Sequence, residues 1–366
     1  MERQTDPQNQ ESIKKSIKTL SPHEHIRLQP MMYIGRLGDG TDPNDGIYNF
    51  IKEIVANSIH EFRQGYGNSI EIVIKDNVAS IRDYGRGIPL QHLVDAVSKI
   101  ETGGIGSQSH IPTTMAYGLK TVNFLSSEFV ARSVRDGKAR TVCFNRGFLT
   151  SDLWESGVEE INGTFIQFRA DEEIFGKYEY HNTILNLYLR QLVCINSGLE
   201  IKLNDKQYKS ENGLLDLIND NFIEQSLYPP IHLRGENIEV VISHCRGVKN
   251  RIVYSCVNSK YTPRGGIHQQ ALCSAIAKTF SKFYNEKFLI ADCCSSLCAA
   301  ISIWVEEPCF YDSCRTQLAG DRKIIGKYVC KFIDTELINY LSKHSDVAQI
   351  IKQEILRIKA STNKIK

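Results

Sequence analysis

Apolar positions along this chain follow two periods, and the change from one to the other marks the elements. Between residues 47 and 62, Ile47, Phe50, Ile51, Ile54, Val55, Ile59 and Phe62 recur at helical spacing, the wide stripe of an amphipathic helix. Glu53, Asn57 and Glu61 recur every four residues and share a polar stripe beside it. Period-two runs follow at 69–74 and 78–83, with Asp76-Asn77 as the hairpin turn between them. The second run leaves through Asp83-Tyr84-Gly85-Arg86-Gly87-Ile88-Pro89, a strand end entering a glycine turn closed by proline. An acid and an amide on one helix, with an acid on a glycine-rich strand exit, suit a metal-bound phosphate at one end and a purine at the other.

The same reading orders the rest of the chain. Residues 12–20 predict a short helix, and 23–35 a helical start interrupted by Pro30 and ending at Gly35. Asn44 or Asp45 can cap the central helix. Helices are predicted at 93–100, 119–125, 181–196, 213–222 and 268–284. Strands are predicted at 128–134, 140–144, 163–168, 199–203, 238–243, 251–257 and 299–305, with a hairpin at Arg135-Asp136-Gly137-Lys138. The stretch 101–117 carries Gly103, Gly104, Gly106 and Pro112 and has the length of a lid or insertion. Gly118 opens the helix after it, where backbone N–H groups face an anion. Tyr228-Pro229-Pro230 predicts a domain boundary. Residues 323–359 read as helical with a break near His344-Ser345-Asp346, and the basic end has no terminating core element, as expected of a chain cut from a longer one.

Composition narrows the class. At 366 residues, with 42% hydrophobic and 23% charged, the chain has the make-up of a globular protein with two cores. A net charge of +2 excludes a bulk polycation, so any nucleic-acid contact must come from a local basic surface. Eleven cysteines without a CxxC pair read as buried thiols of a reduced compartment; Cys293, Cys294 and Cys298 come nearest to a ligand cluster. No signal core and no span of about 20 apolar residues is present, so no membrane is expected and the compartment reads as cytoplasmic.

Taken singly, a Glu and an Asn on the flank of an amphipathic helix are ordinarily just solvated, and Asp83 is ordinarily a turn cap. Their order and spacing say more. HIRLQPMMYIG, EIVANSIHE, DYGRGIP, NGTFIQF and VNSKYTPRGGIH resemble the ATPase and transducer region of the B subunits of bacterial type IIA topoisomerases, DNA gyrase or topoisomerase IV, within the GHKL superfamily. The resemblance covers nearly the whole chain, and GYGNSIEIVIKDNVASIRDYGRGIPL is nearer the topoisomerase IV wording.

That resemblance implies an α+β protein. A Bergerat ATP-binding sandwich of a mixed sheet with helices on one face would fill residues 21–226, after a dimerisation arm at 1–20. An α/β transducer at 227–366 would end in a long helix. It implies ATP and Mg²⁺. Glu53 would activate the attacking water, and Asn57 would bind the metal. Asp83 would accept from the adenine amino group, Thr164 would support that contact through water, and Glu61 would pair with Arg86 beneath the ring. Gly87, Ile88 and Pro89 would face the base, Gly118 and Lys120 the phosphates, and Arg315 the terminal phosphate. Arg135 falls where the family meets aminocoumarins. The implied partners are double-stranded DNA, an A-type cleavage subunit and, once ATP binds, a second copy; the implied location is the nucleoid. No stretch resembles the metal-binding toprim domain, so the chain alone is not expected to cut DNA.

Departures from the family pattern lie at the phosphates. Ile105 stands where a lysine is usual, Met115-Ala116-Tyr117 replaces lid glycines so that only Gly118 survives, and Ser313-Cys314-Arg315 replaces Gln-Thr-Lys. A guanidinium differs in shape from an ammonium, and with three phosphate contacts altered the chain is expected to bind ATP but to hydrolyse it slowly, or not at all unaided. A non-catalytic dimerisation or regulatory module is the alternative. A mismatch-repair or chaperone ATPase fits PMMYIG and RGGIH less well.

Overall fold

The computed structural model describes residues 20–100, 118–312 and 315–363. Residues 1–19 of the expected arm, the stretch 101–117 expected to be a lid, with Ile105 and Met115-Ala116-Tyr117, and Ser313-Cys314 lie outside the described residues. Proximity along the backbone divides the chain into two units. One is Met1–Ile54 with Ile74–Arg82 and Arg86–Tyr180; the other is Val55–Val73 with Asp83–Gly85 and His181–Lys366.

In the first unit, α1 (Pro22–Leu28) starts with a capping box: Ser21 accepts from the Glu24 N–H, and Glu24 from the Ser21 N–H. Pro30 ends that run, and α2 (Met31–Ile34) follows. Next comes α3 (Gly46–Arg63), whose residues from Val55 on belong to the second unit, as do β1 (Ser69–Lys75) up to Val73 and the last residue of β2 (Val78–Asp83). Positive φ at Asp76 and Asn77 makes the predicted primed turn. After α4 (Leu93–Ser98) and α5 (Gly118–Phe124) come β3 (Ser126–Arg135), β4 (Lys138–Asn145), β5 (Phe148–Ser156), β6 (Gly163–Ala170) and α6 (Glu172–Phe175). Phe50 of α3 meets Phe168 of β6 edge to face at 5.5 Å and Phe175 at 5.4 Å. Each buried phenyl contributes about 1.5–3 kcal/mol by area alone.

The second unit continues with α7 (Asn182–Ile195), β7 (Glu200–Leu203), β8 (Lys206–Lys209) and α8 (Leu214–Phe222). β9 (Ile231–Gly235), β10 (Ile238–His244), β11 (Ile252–Val257) and β12 (Lys260–Tyr261) follow. Then come α9 (Ile267–Phe283), α10 (Ile290–Cys294), β13 (Leu297–Ile303), α11 (Lys327–Lys343) and α12 (Ser345–Asn363). The predicted break at His344 separates the last two helices.

The described strands form two mixed sheets, ordered β5-β4-β3-β6-β2-β1-β7-β8 and β12-β11-β13-β10-β9, with β1–β7 and β11–β13 the parallel pairs. The smaller sheet is covered on both faces. Val240, Ile242, Ala299 and Ile301 join the core of α9, α11 and α12, while Val241, Cys256 and Ala300 join Cys194, Ile195, Leu214 and Leu217 from α7 and α8. Two-sided burial explains why Val240-Val241-Ile242 of β10 and Leu297 to Ile301 of β13 are apolar without alternation. It also explains why the strand predicted at 299–305 in fact starts at Leu297 and ends at Ile303: a run without period has no phase to fix its ends. The sequence pattern does not predict β5; it is an edge strand exposed along nearly its whole length, so no inward face imposes alternation.

Candidate functional site

Helix α3 is built to hold a polar stripe against a packed one. Ile47, Phe50, Ile51, Ile54, Val55 and Ile59 are buried, while Glu53, Asn57 and Glu61 are half-buried. Asp45, fully buried ahead of the first turn, accepts from Arg36 Nε and from the Gly40 and Asp42 N–H groups, which ties the preceding loop to the helix start. Of the two candidate caps, Asp45 is thus spent on that loop.

Glu53 lies against the beginning of α5. A methyl group built on Gly118 would come within 2.8 Å of Glu53 Oε2, so the absent side chain is what admits the carboxylate. Lys120, two residues on, is buried. One turn beyond Asn57, Glu61 carries the strand exit: a methyl group on Gly85 would lie 2.8 Å from its Cβ and 3.2 Å from its Oε2.

Asp83 is the anchored acid. It is 8% exposed; Oδ2 accepts from Ser58 Oγ at 3.0 Å, and Oδ1 from the Gly85 N–H at 3.0 Å. The first bond fixes Asp83 to α3, one residue past Asn57. A carboxylate accepts up to about four bonds, so it can serve the fold and a ligand together. The sequence does not single out Ser58, though a hydroxyl between the apolar positions 55 and 59 is the available signal.

Gly87 takes φ 76°, and a methyl there would meet the Val134 carbonyl at 2.7 Å and Ser133 Oγ at 2.8 Å. Its glycine is therefore required by strand β3. Ser133 Oγ donates to the Ile88 carbonyl at 2.7 Å and Arg135 Nη1 to the Gly87 carbonyl at 3.2 Å. Ile88 is half-buried, and Arg86 and Pro89 are exposed. Thr164 sits on β6 opposite Ser133. Behind this turn Arg140 donates to the Leu90 carbonyl at 2.6 Å and binds Asp152 through two nitrogens, which holds the Asp152 carboxyl below its ordinary range.

Arg315 lies elsewhere in the chain, with φ 59° and its N–H on the Asp312 carbonyl at 3.1 Å. Backbone bonds from Ala319 to Cys309 and from Tyr311 to Gln317 close the stem of its loop. The cysteine cluster carries no metal signature: among the described residues no group of three His, Cys, Asp or Glu side chains is placed to hold an ion. No described helix is long and apolar enough to cross a membrane.

Comparisons with known proteins agree with this fold. The family described as DNA gyrase B matches residues 204–366. The B subunit of DNA topoisomerase 4 from Borreliella burgdorferi is 37% identical over 344 residues, 93% of this chain and 57% of that protein. The 43K ATPase domain of Thermus thermophilus gyrase B, solved with an aminocoumarin, superposes with a TM-score of 0.76 at 23% identity, over 94% of this chain and 97% of that one. The topoisomerase IV ATP binding domain of Francisella tularensis, solved with a small-molecule inhibitor, gives 0.77 at 22% identity, over 94% and 98%. The chain spans about half the length of the curated relatives it matches. Sequence and fold together make it a homologue of the B subunits of bacterial type II topoisomerases, DNA gyrase and topoisomerase IV.

Proposed function

We propose that this chain is the ATP-operated clamp of a type IIA topoisomerase, the nucleotide-binding part of its B subunit, with the nucleotide site on α3 and the strand exit at Asp83. The observation that carries the reading is Asp83, a buried acid at a glycine-rich strand exit, held to α3 by Ser58. A carboxylate so placed fits an exocyclic amino group, with Thr164 bridging through water. Gly87, Ile88 and Pro89 wall the base, and Glu61 with Arg86 supports it from below. Asn57 offers one neutral oxygen, the donor expected where Mg²⁺ keeps its waters and phosphate oxygens as other ligands. When bound, the ion neutralises charge on the phosphates. Gly118 and Lys120 serve the phosphate end.

Glu53, held beside Gly118, takes the proton of the attacking water as that oxygen bonds to the terminal phosphorus and the bridging P–O bond to ADP breaks. Arg315 contacts the terminal phosphate from the transducer. In this reading residues 1–20 are the arm, 21–226 the ATPase domain and 227–366 the transducer. ATP joins two copies around a DNA duplex, and an A-type subunit supplies cleavage.

Ile105, Met115-Ala116-Tyr117 and Arg315 each replace a phosphate contact, so turnover is slow. At about 1.5–3 kcal/mol per charged contact, losing several costs orders of magnitude. The same substitutions favour the second reading, a degenerate nucleotide-binding or dimerisation module that regulates a topoisomerase. Calorimetric titration with a non-hydrolysable ATP analogue, beside phosphate release from wild type and Glu53→Ala, decides between them. Binding with slow, Glu53-dependent release supports the clamp. Binding without release supports the module, and no binding removes both.

A further inference from the structure

Arg63 ends the helix that carries Glu53, Asn57 and Glu61, and its side chain reaches a distant part of the sequence. Its Cζ stands 5.5 Å from the centre of the Trp304 ring. Nε donates to Asn196 Oδ1 at 3.1 Å, and Nη2 to the Ile195 carbonyl at 3.2 Å. Asn196, 1% exposed at the end of α7, also accepts from Ser259 Oγ at 2.6 Å and donates to the Leu192 carbonyl at 2.9 Å. One buried carboxamide therefore joins the end of α3 to the β11–β12 turn. Glu239 is the charged neighbour of the guanidinium.

Trp304 directly follows β13, and its backbone N–H donates to the Asn237 carbonyl at 2.9 Å. From there the chain runs into the closed stem that carries Arg315. A guanidinium is flat, forked and charged, so it can lie on an indole and donate to two oxygens at once; lysine lacks the plane and glutamine the charge. Arg132, Arg140 and Arg190 are bound to carboxylates by contrast.

We infer that Arg63 is a positioning residue: its contact with Trp304 links the helix of the proposed base to the stem of the Arg315 loop, so that nucleotide on α3 is registered at Trp304. The inference rests on the ATP reading, and its test separates the two. The chain has two tryptophans, so Trp154→Phe on the exposed edge strand leaves Trp304 as sole reporter. In that background the magnesium-bound non-hydrolysable ATP analogue changes Trp304 emission. Adding Arg63→Gln removes most of the change, leaves the calorimetric Kd within about threefold, and lowers kcat about fivefold with KM nearly unmoved, the scale of one cation–π contact. Arg63→Lys restores part of the emission change. Trp304→Leu lowers kcat as Arg63→Gln does, and the double variant is no worse than either single one. Absent binding heat in wild type would remove the ATP reading and this inference together. Binding heat with unchanged Trp304 emission, an emission change that survives Arg63→Gln, or additive losses in the double variant would each overturn the coupling alone.

Discussion

Replacing Asp83 with Asn tests the proposed purine end of the site with little change of shape. In the protein one carboxylate oxygen accepts from Ser58 Oγ and the other from the Gly85 N–H, both at 3.0 Å. The amide keeps its oxygen toward the Gly85 N–H and turns its NH₂ to Ser58, whose hydroxyl rotates to accept. Two charge-assisted bonds become neutral ones, so the fold loses about 1 kcal/mol. Nucleotide loses more. The negative charge is gone and one of two acceptor oxygens has become a donor, which costs the amino contact about 2 kcal/mol, some thirtyfold in Kd. Titration calorimetry with the non-hydrolysable analogue measures that ratio, and a thermal melt confirms that the variant is folded. A folded Asp83→Asn protein with Kd within about threefold of wild type would refute the assignment of Asp83 to the purine.

Two other expectations follow from local geometry. Gly118→Ala sets a methyl 2.8 Å from Glu53 Oε2, so the carboxylate must move by several tenths of an ångström; kcat falls about tenfold with Kd nearly unchanged, and unaltered phosphate release would count against Glu53 as base. His268 gives a pH dependence. Fully buried, with no partner for Nδ1 among the described residues, it is pushed down to about 4 by desolvation. The unfolded chain binds the proton first, so stability is complete above about pH 6.5 and is lost as pH falls toward 4, by about 3 kcal/mol. His244, also lowered by burial, acts in the same direction. Urea unfolding from pH 7 to 4.5 shows the slope; His268→Gln flattens it, and an equal slope in that variant would exclude His268 as the source.

The parts of the fold that can be read from the sequence are those where one face is buried and the other wet. Helix α3 has such a face, and its bounds differ from the predicted ones by one residue at each end. The two hairpin turns are legible because Asp76-Asn77 and Asp136-Gly137 can take positive φ. Strand β5 escapes because it is wet on both sides, and the ends of β13 slip because it is dry on both. At the site, residue types suggest Glu53, Asn57 and Asp83. What the sequence cannot supply is the joinery. Ser58 is one hydroxyl in an apolar stripe, and Gly87 answers to a strand nearly fifty residues on, as Arg63 does to Trp304. Contacts between distant segments leave no period in the chain.

The most direct measurement is a crystal structure of this protein with magnesium and a non-hydrolysable ATP analogue. The expected result is the purine amino group on Asp83, the ion on Asn57 Oδ1 and an ordered water between Glu53 and the terminal phosphate. Nucleotide bound away from α3, or with its base remote from Asp83, would contradict it.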